Sequence, residues 1–218
     1  MRIASSRSAP AATAAGFKEA SSTSRGYPVG LGILRGVESI RAVRSREVYR
    51  NNWMRLREDD IRRPDGSPGI YAVVDKPAYA LVIARDTGAA GDRFHLVEQF
   101  RYPLGLRRWE FPQGTAPDRP DLAAAELAAR ELREETGLAA ESLTELGTLD
   151  VAPGMSSQRG RVFLATGLHE GPHEREHEEQ DMTSAWFGRG EVEQMIRDGV
   201  ITDAQSLAAW TLLLLHER

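Results

Sequence analysis

Through the first half of the chain the apolar residues come in short runs, and a helical period appears only after residue 121. Ile70 to Val74, Tyr79 to Ala84 and Phe94 to Phe100 are of strand length and rich in β-branched and aromatic residues. Glu47-Val48-Tyr49 and Trp53-Met54-Arg55-Leu56 are shorter strand material, followed by the turn signal Arg63-Pro64-Asp65-Gly66. From Asp121 to Thr136 the pattern becomes helical: a Pro-Asp entry suits a cap, Gly137 stands at the exit, and Leu122, Ala125, Ala129 and Leu132 mark an inward stripe. Strands are expected again at Leu146 to Val151, Arg161 to Ala165 and Ser184 to Phe187. Two helices close the chain, Glu191 to Arg197, stopped by Gly199, and Asp203 to His216, on which Ala204, Leu207, Ala208 and Thr211 repeat at helical spacing. Mixed strands around one central helix predict an α/β or α+β domain, not a doubly wound parallel sheet. Residues 1–44, rich in Ser, Ala and Gly and without a period, are expected to be a flexible tail. That leaves 45–218 as the domain, with 45–75 as its N-terminal strands.

Composition narrows the function classes. At 218 residues one core is expected. The net charge is −4, the cations are arginines apart from Lys18 and Lys76, and no dense basic run marks a nucleic-acid or anionic-membrane surface. Without cysteine, neither a disulfide nor a thiolate metal site can form. The run Leu212 to Leu215 is far too short to span a bilayer. The Arg/Ser/Ala-rich opening lacks the apolar core of a secretory signal and has a poor amphipathic pattern, so an untargeted, cytoplasmic protein is expected.

The chemistry is concentrated in Arg130-Glu131-Leu132-Arg133-Glu134-Glu135-Thr136-Gly137-Leu138. Residues four apart on a helix are neighbours, so Glu131 and Glu135 share a face and Glu134 lies beside them. Two carboxylates ~7 Å apart repel by roughly 2–3 kcal/mol at an effective dielectric near 20, which a bound cation relieves. Oxygen ligands suit Mg²⁺ or Mn²⁺ better than zinc. Arg130 and Glu134 are also an i,i+4 pair, so a solvated helix face is the alternative.

The run follows Trp109-Glu110-Phe111-Pro112-Gln113-Gly114, and the ensemble resembles the Nudix hydrolase signature, G-x5-E-x7-R-E-U-x-E-E-x-G-U with U apolar. The second half is matched at every specified position from Arg130 to Leu138. The first half is not: taking Gly114 as the box glycine leaves a loop two residues longer than the family's, and the early glutamate is missing. That departure bears on the loop from Thr115 to Pro120 and on what supports Arg130. Glu98-Gln99-Phe100-Arg101-Tyr102-Pro103, Glu110-Phe111-Pro112-Gln113-Gly114 and Pro153-Gly154-Met155-Ser156 are similar to elements of the ADP-ribose pyrophosphatase branch, in the same order.

The resemblance implies a mixed sheet sandwiched by helices and hydrolysis of a nucleoside diphosphate derivative, foremost ADP-ribose or a nucleotide sugar. Mg²⁺ or Mn²⁺ would be held by Glu131, Glu134, Glu135 and the Gln113 carbonyl. Glu178 would be the general base, with Glu179 second, Asp181 a further candidate and Glu134 also at the catalytic centre. Arg101 and Glu110 would serve the substrate, although Arg101 taken alone is equally a strand-end surface charge. The branch exchanges N-terminal strands within a homodimer, which would bring Trp53 and an arginine such as Arg50 to the neighbouring site. Two other readings compete. One is a nucleotide-sensing module of the same fold without turnover; the other is a hydrolase of another dinucleotide or of capped RNA.

Overall fold

The chain runs β1 (Arg41–Arg50), β2 (Arg55–Arg62), β3 (Pro68–Asp75), β4 (Tyr79–Gly88), β5 (Gly91–Arg101), β6 (Leu106–Glu110), β7 (Gln113–Thr115), α1 (Ala124–Thr136), β8 (Leu138–Asp150), β9 (Arg159–Glu170), β10 (Thr183–Gly188), α2 (Arg189–Arg197) and α3 (Ala204–His216). The structure is a computed structural model that describes residues 39–89, 91–171 and 181–218. Strands β1, β2 and β3 form an antiparallel three-stranded sheet. The other seven form a mixed sheet of order β10-β5-β4-β9-β8, with β6 on β5 and β7 on β4; within it β4 and β9 run parallel.

Strand β4 shows why the least polar run of the chain lies at the centre. Tyr79, Leu81 and Ile83 enter one cluster with Phe94, Phe111, Val192 and Trp210, while Ala80, Val82 and Ala84 enter another with Leu127, Ala128 and Leu132. A strand buried on both faces reads as continuous apolar sequence. Helix α1 covers one side and α2 and α3 the other, the expected sandwich of a mixed sheet between helices. Among the described residues no helix is long and apolar enough to cross a membrane.

Several local expectations are corrected. Helix α1 starts at Ala124, not Asp121, because Arg119 N–H donates to the Ala116 carbonyl and Leu122 N–H to that of Arg119, so tight turns use up the Pro-Asp segment. Its cap position is Ala123, without a side-chain cap. Its buried stripe is Leu127, Ala128, Glu131, Leu132 and Glu135, whereas Ala125 and Ala129 are exposed. Alanines occur all round this helix and carry no phase. On α3 the buried residues are Ser206, Ala209, Trp210 and Leu213, with Ala204 and Thr211 exposed. Strand β8 begins at Leu138, well before Leu146; as an edge strand it is half exposed and its mixed small and polar sequence hides it. Strand β1 includes Arg41 to Arg44 of the expected tail, paired with β2 and tied by an Arg44–Asp60 ion pair of 2.9 Å.

Candidate active site

Glu131 and Glu135 are both buried, on the flank of α1 that meets β7. Gln113 N–H donates to Glu135 Oε2 at 3.1 Å. Gly114 lies against Glu131 so closely that a Cβ there would stand 2.7 Å from the Glu131 carboxyl carbon and nearer still to Oε2. A side chain at 114 would displace the Glu131 carboxylate, so glycine here allows its close approach to β7. Helix α1 ends where expected: Gly137 takes φ 71° and its N–H donates to the Arg133 carbonyl.

Glu134 faces Arg130, whose Nε donates to Oε1 at 2.8 Å. Arg130 Nη1 reaches Asp118 Oδ1 at 3.4 Å. The lengthened loop, which lacks the early glutamate, therefore supplies Arg130 with a carboxylate from Asp118. Neither Asp118 nor this contact follows from the motif.

Among the described residues no three Asp, Glu or His side chains stand gathered in a cage for an ion. The donor set nevertheless fits a hard divalent cation. It is all oxygen, and two buried carboxylates stand one helical turn apart, an arrangement suited to a hard cation. They lie directly behind Gln113 and Gly114, which line a cleft of about 530 Å³.

Arg101, Arg108, Glu110, Tyr79 and Asp203 also line this cleft. Glu110 is 1% exposed and held by two-pronged contact with Arg101: Nη2 lies 2.6 Å from Oε1, and Nε donates to Oε2 at 3.3 Å. Burial pushes the Glu110 carboxyl above its ordinary 4.5, and the Arg101 charge pulls it back only in part. Gln113 Nε2 donates both to Glu110 Oε2 at 3.3 Å and to Asp203 Oδ2 at 2.9 Å. Asp203 caps α3 by accepting from Ser206 N–H at 2.8 Å, and Ser206 Oγ accepts from Phe111 N–H at 3.0 Å. One polar chain, Arg101–Glu110–Gln113–Asp203–Ser206, thus ties the β5–β6 wall to the start of α3.

Arg101, Glu110, Gln113, Glu131 and Glu135 are therefore brought together, with Glu134 adjacent through Arg130. Arg50 and Trp53 are not: both are exposed in the N-terminal sheet and its first turn, neither lines the cleft of its own chain, and Arg50 is paired with Glu47 at 2.8 Å. Glu178 and Glu179 lie outside the described residues. Asp181 is described, and Arg107 Nη1 donates to it at 2.8 Å while Nε holds Glu98 at 2.9 Å. Sequence reasoning missed Tyr79, Arg108 and Asp203 as cleft residues. Asp203 carried a signal, as a helix entry; Tyr79 and Arg108 carried only strand periodicity.

A family model described as nucleoside diphosphate sugar hydrolase N-terminal domain matches residues 40–74, and one described as NUDIX domain matches residues 75–210. The chain is 39% identical over 157 residues to an ADP-ribose pyrophosphatase of Mycobacterium tuberculosis, covering 70% of this chain and 72% of that one. It is 28% identical over 144 residues to an ADP-ribose pyrophosphatase of Bacillus subtilis, covering 65% and 74%. A crystal structure of an ADP compounds hydrolase superposes with a TM-score of 0.71 over 84% of this chain and 95% of that one; at 19% identity this likeness concerns the fold.

Proposed function

The chain belongs to the Nudix family, as a pyrophosphohydrolase of nucleoside diphosphate derivatives, and from that premise we propose that its substrate is ADP-ribose or a closely related nucleotide sugar, cleaved with Mg²⁺. The observation that carries this reading is the placement of buried Glu131 and Glu135 directly behind the Gln113–Gly114 wall of a cleft that also presents Arg101. Glu131, Glu134, Glu135 and the Gln113 carbonyl would hold the divalent ions. Bound there, these ions supply charge neutralisation of the pyrophosphate and activation of water.

The protein's own groups do the rest. Arg101 lines the cleft and offers phosphoryl oxygens the guanidinium N–H groups that Glu110, bound along the Nη2/Nε edge, leaves over. Glu178 takes the proton of the attacking water, with Glu179 and Asp181 as the other candidates. Incubation with Mg²⁺ and ADP-ribose is expected to yield AMP and ribose 5-phosphate, identified by chromatography. Binding without products would instead favour a sensing module, and products only from dinucleotides or capped RNA would move the specificity.

The working unit in this reading is a homodimer. Val43, Val48, Tyr49, Trp53 and Ile70 are exposed on the N-terminal strands and their turn, and every residue of β1 is exposed. Exposed apolar area of this kind marks an interaction surface, and a second copy would bring Trp53 and Arg50 to the neighbouring cleft. Light scattering on the eluting protein should give twice the chain mass; a monomer mass with full activity would remove these two residues from the site.

A further inference from the structure

The two walls of the cleft differ in chemistry. The β5–β6 wall carries the guanidinium groups of Arg101 and Arg108, suited to phosphate oxygens. The start of β4 contributes Tyr79 to the same cleft, and the entry of α3 contributes Asp203. Tyr79 is 4% exposed, and its hydroxyl has no hydrogen-bond partner among the described residues. A buried hydroxyl left in this state is costly, and a ligand group that accepts from it relieves that cost.

Tyr79 pairs with Gly160 across β4 and β9, and its ring lies so close to that glycine that a Cβ there would come within 2.5 Å of Oη and closer to the ring carbons. Burial, aided by the negative charge of Asp203, pushes the phenol up to about 12, so Oη remains a donor at neutral pH. Asp203 is fixed by the Gln113 and Ser206 contacts already described. Its negative charge disfavours a phosphate oxygen, whereas a neutral hydroxyl can accept from Tyr79 and donate to Asp203 at once.

We propose that Tyr79 and Asp203 form a specificity pair that reads a hydroxyl of the substrate's non-nucleoside moiety, a polyhydroxylated group such as a sugar. The assignment rests on the hydrolase reading above. Tyr79 does no chemistry; it selects derivatives whose second moiety carries a hydroxyl at this place.

The test is calorimetric titration of the metal-free full chain with ADP-ribose and with ADP, which lacks the second sugar. Wild type is expected to prefer ADP-ribose, and Tyr79→Phe, which removes only Oη, to reduce that preference about tenfold. The thermal midpoint of unliganded Tyr79→Phe should equal or exceed that of wild type, because an orphan buried hydroxyl has been removed; a merely structural hydroxyl would lower it. Asp203→Asn, which retains a capping oxygen, should reduce the preference as well. An unchanged preference in Tyr79→Phe, with AMP still produced from ADP-ribose by wild type, overturns the pair and leaves the hydrolase reading standing. Wild type that neither binds nor cleaves ADP-ribose overturns both.

Discussion

Glu135→Gln is expected to lower kcat by about 10³-fold or more at saturating Mg²⁺, while the thermal midpoint stays within about 2 °C of wild type. The separation of the two effects follows from the geometry. Glu135 is buried at the end of α1 and accepts the Gln113 N–H at 3.1 Å through one carboxylate oxygen. A glutamine oxygen of the same shape can accept that bond, so the contact joining α1 to β7 survives. What the amide lacks is the negative charge and the second strong acceptor oxygen that a hard divalent cation requires. A loss of 10³ corresponds to about 4 kcal/mol of transition-state stabilisation, within the range attributed to Lewis-acid and charge-neutralising roles of a bound ion. Turnover within threefold of wild type would remove Glu135 from the site. A collapse of the thermal midpoint would instead make it a structural carboxylate.

The parts of this molecule legible in sequence are those whose signal is local. The run from Tyr79 to Ala84 reads as a strand and Gly137 as a helix end, and the structure has both, the strand buried and the glycine left-handed. The helix carboxylates were legible for a similar reason: spacing alone puts Glu131 and Glu135 on one face. The start of α1 was not, since it depends on turns formed by Ala116, Arg119 and Leu122 within a loop longer than the family pattern. The cleft's second wall was hidden more deeply. Tyr79 and Gly160 are 81 positions apart and meet only through parallel pairing of β4 with β9. Gln113 finds Asp203 across 90 positions. Asp118 illustrates an intermediate case. The motif shows where a glutamate is missing, and the fold shows which acidic residue of the lengthened loop reaches Arg130 in its place.

Arg101→Ala should cost both activity and stability, and the two losses should be separable by a second substitution. Its guanidinium engages Glu110 through Nη2 and Nε, and Glu110 is almost fully enclosed. Breaking a buried pair from one side costs about 3–5 kcal/mol; because the Arg101 side chain is 38% exposed, a smaller cost of about 2 kcal/mol is expected. The phosphate fork is lost at the same time, so kcat/KM for ADP-ribose should fall by about 10²–10³-fold. Charge sign gives the pH dependence. Glu110 already has a carboxyl pKa raised above 4.5 by burial, and removing the Arg101 charge raises it further. A carboxyl raised in the folded state contributes stability fully below its unfolded pKa and loses it as pH climbs through the folded value. The stability deficit of Arg101→Ala should therefore be small near pH 4 and grow toward pH 8, as read from urea midpoints. Adding Glu110→Gln removes the stranded charge, so the double variant should recover most of the stability at pH 8 and none of the turnover. Recovery of turnover in the double variant would make Arg101 a structural partner of Glu110 and take it off the substrate, while a deficit independent of pH would show that Glu110 is not the group left unpaired.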